Sequence, residues 1–167
     1  MNDVIRAELL TREPGNAVLQ ALVALLAEDA YLLEVDANER SVVHRLALHL
    51  QAGFPNLHVD CEYNRDGIDP KRIQHFYLDP DSEDTEAKTI FPDIIVHRRN
   101  TEDNYLVIEI KKTTNRVSRD VDRGKLRGYK GDLGYRFALF VELSAGDGNA
   151  GVSRVEWIGG QERPYAR

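Results

Sequence analysis

Asp93, Glu109 and Lys111 stand inside a stretch that otherwise reads as core. Residues 91–112 carry two apolar runs, Ile94-Ile95-Val96 and Tyr105-Leu106-Val107-Ile108, either side of a polar turn near 101–104. That is the pattern of a β-hairpin. Side chains alternate along a strand, so Tyr105, Val107, Glu109 and Lys111 share one face and Leu106, Ile108 and Ile110 the other. Both faces are apolar as far as Ile108, as in a strand covered on two sides. Asp93 shares a face with Ile95 and His97 on the first strand. With the turn centred near 101–103, Asp93 lies across from roughly residues 109–113; directly opposed Cβ atoms are about 4.5–5.5 Å apart and diagonal ones about 7–8 Å, so Asp93 and Glu109 can converge where both point to the same side. Two carboxylates that close repel, and one tends to hold a proton. A divalent cation removes the conflict. Magnesium (or manganese) suits the pair, because it keeps several waters and needs only one or two carboxylates beside substrate oxygens. Lys111, one pleat further on, can hold a water or stabilise charge on a phosphate. The chemistry these groups can do together is phosphodiester hydrolysis. The same spacing also allows an ion pair, Glu109–Lys111 or Asp93–Lys111, at a strand end.

The elements that must position these residues follow from periodicity. Pro14-Gly15-Asn16 is a turn with Asn16 as a helix N-cap, and Ala17 to about Leu33 predicts a helix buried on more than one face, by its own domain or by a second copy of the chain. Asp36-Ala37-Asn38-Glu39 opens a second helix to about Gln51, with Val43, Leu46, Ala47 and Leu50 as its apolar stripe. Leu57–Asn64 predicts a strand, and the hairpin strands run over about 90–98 and 104–112. Ser118–Lys130 predicts a helix capped by Ser118 and stopped by Gly131. Strands over 135–143 and 152–158 complete the chain. The order is an α/β domain around a central mixed sheet flanked by helices. Residues 1–35 read as an N-terminal helical arm and 36–167 as the domain proper, within one compact unit.

Composition narrows the classes. A chain of 167 residues with 42% hydrophobic and 30% charged residues is long enough for a single core. Cys61 is the sole cysteine, so no internal disulfide forms. The N-terminus lacks the pattern of a secretory signal, and the longest apolar stretch, Ala17–Ala27, is short of the ~20 residues that a membrane helix needs. A cytoplasmic protein without a membrane partner is the expectation. Net charge is −6, yet residues 108–130 hold eight basic residues against three acidic ones. Such a stripe can meet a polyanion or can be a solvated helix face.

Three patterns do not carry chemistry. Gly146-Asp147-Gly148-Asn149-Ala150-Gly151 matches G-x-G-x-x-G, but a strand follows where a dinucleotide site needs a helix. Asp79–Asp84 starts like a calcium loop but lacks its glycine and terminal glutamate. The five histidines show no metal-ligand spacing.

Pro92-Asp93 on one hairpin strand, with Glu109-Ile110-Lys111 on the next, resembles the signature of the PD-(D/E)XK nuclease superfamily. The likeness spans roughly residues 36–143 and includes the order of elements. It implies a restriction-endonuclease-like αβββαβ core with an extra N-terminal helix. It further implies Asp93 and Glu109 as metal ligands, Lys111 serving the attacking water, and a magnesium-dependent nuclease acting on DNA more than RNA. Many members carry a glutamate on the first core helix, a place that Glu39 fills here as a third catalytic and metal-site acid. Asp36-x-x-Glu39 is also a capping-box pattern. Some members carry Gln-x-x-x-Tyr after the third strand; here Lys125 and Tyr129 stand four apart on one helix face. Lys112, Arg116, Arg119, Arg123, Lys125 and Tyr129 are the expected nucleic-acid contacts. Glu62 is a further acid beside the hairpin, or a surface residue. The other reading of the whole chain is a non-catalytic binding or interaction module, with the N-terminal helix available for a homodimer.

Overall fold

The computed structural model describes residues 1–63, 65–66, 69–70, 72–74, 87–89 and 91–159. Four helices come first: α1 (Asp3–Leu9), α2 (Gly15–Glu28), α3 (Ala30–Glu34) and α4 (Glu39–Gln51). Strand β1 (His58–Cys61) precedes two short two-stranded ribbons, β2 (Arg65–Asp66) with β3 (Asp69–Pro70), and β4 (Arg72–Gln74) with β5 (Ala87–Thr89). The hairpin β6 (Ile94–His97) and β7 (Asn104–Lys112), helix α5 (Arg119–Asp132), and strands β8 (Phe137–Ser144) and β9 (Gly151–Trp157) follow. The acidic stretch 79–86, the apolar segment 76–78 and His75 lie outside the described residues.

Five strands form one sheet in the order β1-β6-β7-β8-β9. All neighbours are antiparallel except β7 and β8, which are parallel and joined by the α5 crossover. The expected mixed sheet flanked by helices is what forms. Alternation decides which side chain meets which layer. Ile94, Val96, Leu106, Ile108, Ile110, Leu139 and Val141 pack with the first four helices. Ile95, Val107, Ala138 and Phe140 pack with Leu126 and Tyr129 of α5. β7 is the central strand, and eight of its nine residues are buried. Its near-continuous apolar run therefore reflects cover on both faces.

Local chemistry sets the helix ends. Asn38 caps α4 by accepting the Arg40 amide at 2.9 Å, and the Ser118 side chain caps α5 by accepting the Asp120 amide. α5 runs through Gly131 to Asp132 rather than stopping at it, and the left-handed residue after it is Gly134 (φ 68°). At the other end of the chain, α2 begins at Gly15 after Pro14, so Asn16 is not its cap. The single helix expected to Leu33 breaks at Asp29. Its carboxylate accepts from Arg45 Nε and meets His49 Nε2, both at 2.8 Å, which ties the break to α4.

Residues 1–35 are built into the main core rather than standing off it as an arm. Val18, Leu19, Ala21, Leu22 and Leu25 of α2 join the layer against the sheet, and the Trp157 indole donates to the Glu8 carbonyl at 3.1 Å. The apolar faces of α2 thus find their partners within the chain. Close packing depends on Gly15, where an added Cβ would stand 1.8 Å from the Leu9 carbonyl oxygen. Backbone must move to admit it. Gly15→Ala is expected to cost roughly 3 kcal/mol in urea denaturation, and a loss below ~0.5 kcal/mol would show that the α1–α2 turn yields freely.

The glycine-rich stretch is the β8–β9 hairpin loop, with Gly146, Asp147 and Gly148 at positive φ. No helix opens there, as its sequence implied.

Candidate active site

β6 pairs with β7 so that Ile94 lies opposite Ile108. Carrying that register one residue outward sets Asp93 across from Glu109. On its other side the Asp93 carbonyl accepts the Glu62 amide at 3.3 Å. Asp93 is therefore the residue at which β6 meets both neighbours. Its Oδ2 accepts the Ile110 amide at 2.7 Å, taking the place of a ladder carbonyl beyond the end of β6. Ile94 to His97 behind it are fully buried, while Asp93 is half-buried.

Glu109 projects from the sheet under α5 and is 1% exposed. Lys125 Nζ donates to its Oε2 at 2.9 Å and the Tyr129 hydroxyl donates to its Oε1 at 3.1 Å. These two residues share a helix face, as four-residue spacing requires. Lys111 lies one pleat on, buried, with its Nζ 3.0 Å from Asp122 Oδ2. That oxygen is charge-paired but accepts no hydrogen bond among the described residues. Asp122, Lys125 and Tyr129 thus form one row on α5 facing Glu109 and Lys111 on β7.

The electrostatics of this row are unbalanced. Burial, and next the charge of Asp93, push Glu109 up to about 8 despite Lys125. Burial pushes Asp93 up to about 6, with Glu39 and Asp122 adding to it and the Ile110 amide and Lys125 opposing. Burial opposes the charge on Lys125, yet Glu109 outweighs it and holds the ammonium above the ordinary lysine range. The chain keeps more carboxylate here than its lysines neutralise.

On the α4 side Asp93 opens into a cleft of about 240 Å³ lined by Glu39, Arg40, Val43, Cys61, Glu62 and Asp93. Glu39 Oε2 accepts the Lys112 amide at 3.1 Å and, more weakly, Asn115 Nδ2 at 3.4 Å. It makes no capping box, since Asn38 is the cap. The Cys61 thiol is pushed up to about 11 by burial and by the charges of Asp60, Asp93 and Glu62. It stays protonated and is no nucleophile.

The structure therefore gathers Asp93, Glu109 and Glu39 around the end of β6, with Lys111 on the same face as Glu109. The basic stripe comes out differently. Tyr129 is fully buried with its hydroxyl on Glu109, so it does not reach a phosphate from the surface. Lys112 is buried, and its Nζ holds Asp36 Oδ1 at 2.6 Å and the Ala37 carbonyl. Arg119 bonds Glu142 at 2.8 Å and three backbone carbonyls. Arg123 bonds Glu156 at 3.0 Å and Asp120 at 3.1 Å and lies over the Phe140 ring. Lys125 is held by Glu109. Of the six, Arg116 alone is exposed without a partner among the described residues. The stripe reads as basic because its acids, Asp36, Glu142 and Glu156, are far away in sequence. Two residues at the site were not singled out from the sequence. Asp122 could have been found, because 122, 125 and 129 fall on one helical row. Arg40 carried no such signal.

Among the described residues no three His, Cys, Asp or Glu side chains form a metal cage by themselves. A magnesium ion does not need one. Asp93 and Glu109 are the carboxylates that would hold it: Asp93 lines the cleft, while both Glu109 oxygens are taken by Lys125 and Tyr129, one of which would have to give way to the ion. Comparison of the chain with protein-family models, with curated proteins and with solved structures gave no match.

Proposed function

We propose that this chain is a divalent-metal-dependent nuclease of the PD-(D/E)XK type, hydrolysing phosphodiester bonds in DNA in preference to RNA. One observation carries the reading: Asp93 and Glu109 face each other at the end of a buried hairpin, beside a cleft, both with proton affinity raised by burial. Perturbed carboxylates converging at a cleft are more characteristic of functional sites than of structural ion pairs. The run α4, β1, β6–β7, α5, β8 also follows the αβββαβ order of a restriction-endonuclease-like core.

In this reading Asp93 and Glu109 hold the metal, with Glu39 assisting from the first turn of α4. The bound ion supplies charge neutralisation at the phosphate and a more acidic water. The protein does the rest. The Ile110 amide fixes one Asp93 oxygen and leaves the other toward the cleft. Tyr129 fixes the Glu109 carboxylate, and Asp122 holds Lys111 in place as a buried positive charge. Water attacks phosphorus and gives up a proton to solvent, the bridging P–O bond breaks, and the leaving alkoxide takes one proton from solvent, so the products are an alcohol and a phosphate monoester.

A second reading has its own support. Lys111 and Lys125 are both neutralised inside the protein, and most of the basic stripe is engaged internally. That arrangement suits a non-catalytic module whose site is an inert charge network. Incubating plasmid and oligonucleotide with magnesium or manganese separates the two. Lys111→Ala is expected to reduce cleavage by about 10²-fold or more while leaving calorimetric metal binding in place. Retained cleavage removes the lysine from the mechanism. Absence of both cleavage and metal binding in the unmodified chain favours the module.

A further inference from the structure

Among the described residues, the cleft beside Asp93 is lined by three acids, Glu39, Glu62 and Asp93, and by one cation, Arg40. We infer that Arg40 receives a substrate phosphate at the rim of this cleft, exchanging its carboxylate partner Glu62 for it; this rests on the phosphodiester reading above.

Arg40 follows Glu39 in the first turn of α4, so it stands next to the acid that faces Asp93. Its side chain is 81% exposed. The guanidinium is paired with Glu62, its Nε 2.7 Å from Oε1. The two terminal nitrogens donate no hydrogen bond among the described residues. An arginine in that state offers a planar fork matched to a phosphate, and such a charge-assisted bidentate contact is stronger than an ordinary hydrogen bond.

Glu62 is suited to giving way. It is 44% exposed, and an ion pair between two exposed side chains is weak and readily exchanged. Its backbone sits at φ 49°, the left-handed region that a side chain other than glycine rarely adopts. Immediately after β1, this conformation delivers its carboxylate to Arg40. Without substrate, Glu62 therefore occupies the Arg40 guanidinium at the rim of an otherwise acidic cleft.

Elimination among the described residues strengthens the assignment. A polyanion entering this cleft must meet positive charge near Asp93 besides any bound metal. Lys112, Arg119, Arg123 and Lys125 are engaged with Asp36, Glu142, Glu156 and Glu109. Arg116 is exposed but does not line the cleft. Arg40 does, and its partner is one a phosphate can replace.

The test uses the full chain and a fluorescein-labelled DNA strand, single and as a duplex. In an Asp93→Asn background, where cleavage cannot intervene, binding is followed by fluorescence anisotropy over a range of salt. Arg40→Ala is expected to weaken binding about five- to tenfold and to lower the salt slope by about one released counterion. Arg40→Lys recovers part of the affinity because the charge returns without the fork. Glu62→Gln tightens binding about twofold by freeing the guanidinium. In the otherwise unmodified chain Arg40→Ala raises KM more than it lowers kcat. Unchanged affinity and salt slope in Arg40→Ala overturn the assignment, even where cleavage proceeds and the nuclease reading stands. Arg40-dependent binding without magnesium- or manganese-dependent cleavage keeps the assignment and overturns hydrolysis. Absence of both binding and cleavage overturns both.

Discussion

Asp93→Asn is expected to remove metal-dependent cleavage, by about 10³-fold or more, and at pH 8 to make the folded chain more stable by roughly 2 kcal/mol. The two effects have one cause. Asp93 titrates near 6 in the folded chain against an ordinary value of 3.8 in the unfolded one, chiefly because burial disfavours its charge. The folded state thus binds this proton more tightly than the unfolded state. Its contribution to stability is fully present below about pH 4 and is lost as pH rises through 6. Asparagine keeps an oxygen for the Ile110 amide and has no charge to desolvate. The gain should therefore be absent at pH 4, grow between pH 4 and 6, and level off above. The full shift corresponds to about 3 kcal/mol, lowered here because Asp93 keeps contact with solvent at the cleft. Urea denaturation at pH 4 and pH 8 measures it. A variant that is destabilised at both values shows that Asp93 serves the fold and counts against a site held under strain for function.

The asparagine variant also bears on what the amino-acid sequence could tell. Asp93 and Glu109 stand out because a charge at a core position of a strand is a local conflict between pattern and residue type, and such conflicts mark functional places. A turn centred near 101–103 put Asp93 across from the span 109–113, and the observed pairing of Ile94 with Ile108, with a register shift between Val96 and His97, selects the Glu109 end of that span. The helix α4 and its stripe were equally plain, since Val43, Leu46, Ala47 and Leu50 recur at helical spacing and all are buried. What could not be read was pairing across long sequence distance. Lys112 meets Asp36 and Arg123 meets Glu156 only because the sheet brings them together. A basic run judged by its own neighbours in sequence looks like an electrostatic footprint, while in three dimensions Lys111, Lys112, Arg119, Arg123 and Lys125 each have an acid beside them. Helix α1 was missed for a related reason. At seven residues it is too short to be stable by itself, and it is held by its contact with β9 through Trp157.

Glu109→Gln separates the nuclease reading from the ion-pair reading by the sign of its effect. As a structural ion pair, Glu109–Lys125 is a buried contact, and removing one partner should cost about 3–5 kcal/mol. Glu109 is, however, pushed up to about 8 even with Lys125 at 2.9 Å, because burial and Asp93 together outweigh the lysine. The folded chain then holds a proton that the unfolded chain releases near 4.5. Stability from this group is present below about pH 4.5 and falls steadily as pH rises to 8. Glutamine still accepts from Tyr129 and carries no charge, so the variant should match the parent near pH 4 and gain on it as pH rises past 8, by an amount reduced by Lys125's loss of its counter-charge. The charge of Asp93 raises Glu109, so the two amide substitutions together should gain less than the sum of each alone. A divalent cation acts on the same imbalance from the other side. It favours the ionised acids, so binding near pH 7 should release about one proton, read as a dependence of the calorimetric enthalpy on the ionisation enthalpy of the buffer. Glu109→Gln should bind the cation at least about tenfold more weakly and release fewer protons. Destabilisation at every pH, with no proton released on adding magnesium or manganese, would make Glu109–Lys125 an ordinary buried pair and leave the chain as a binding module.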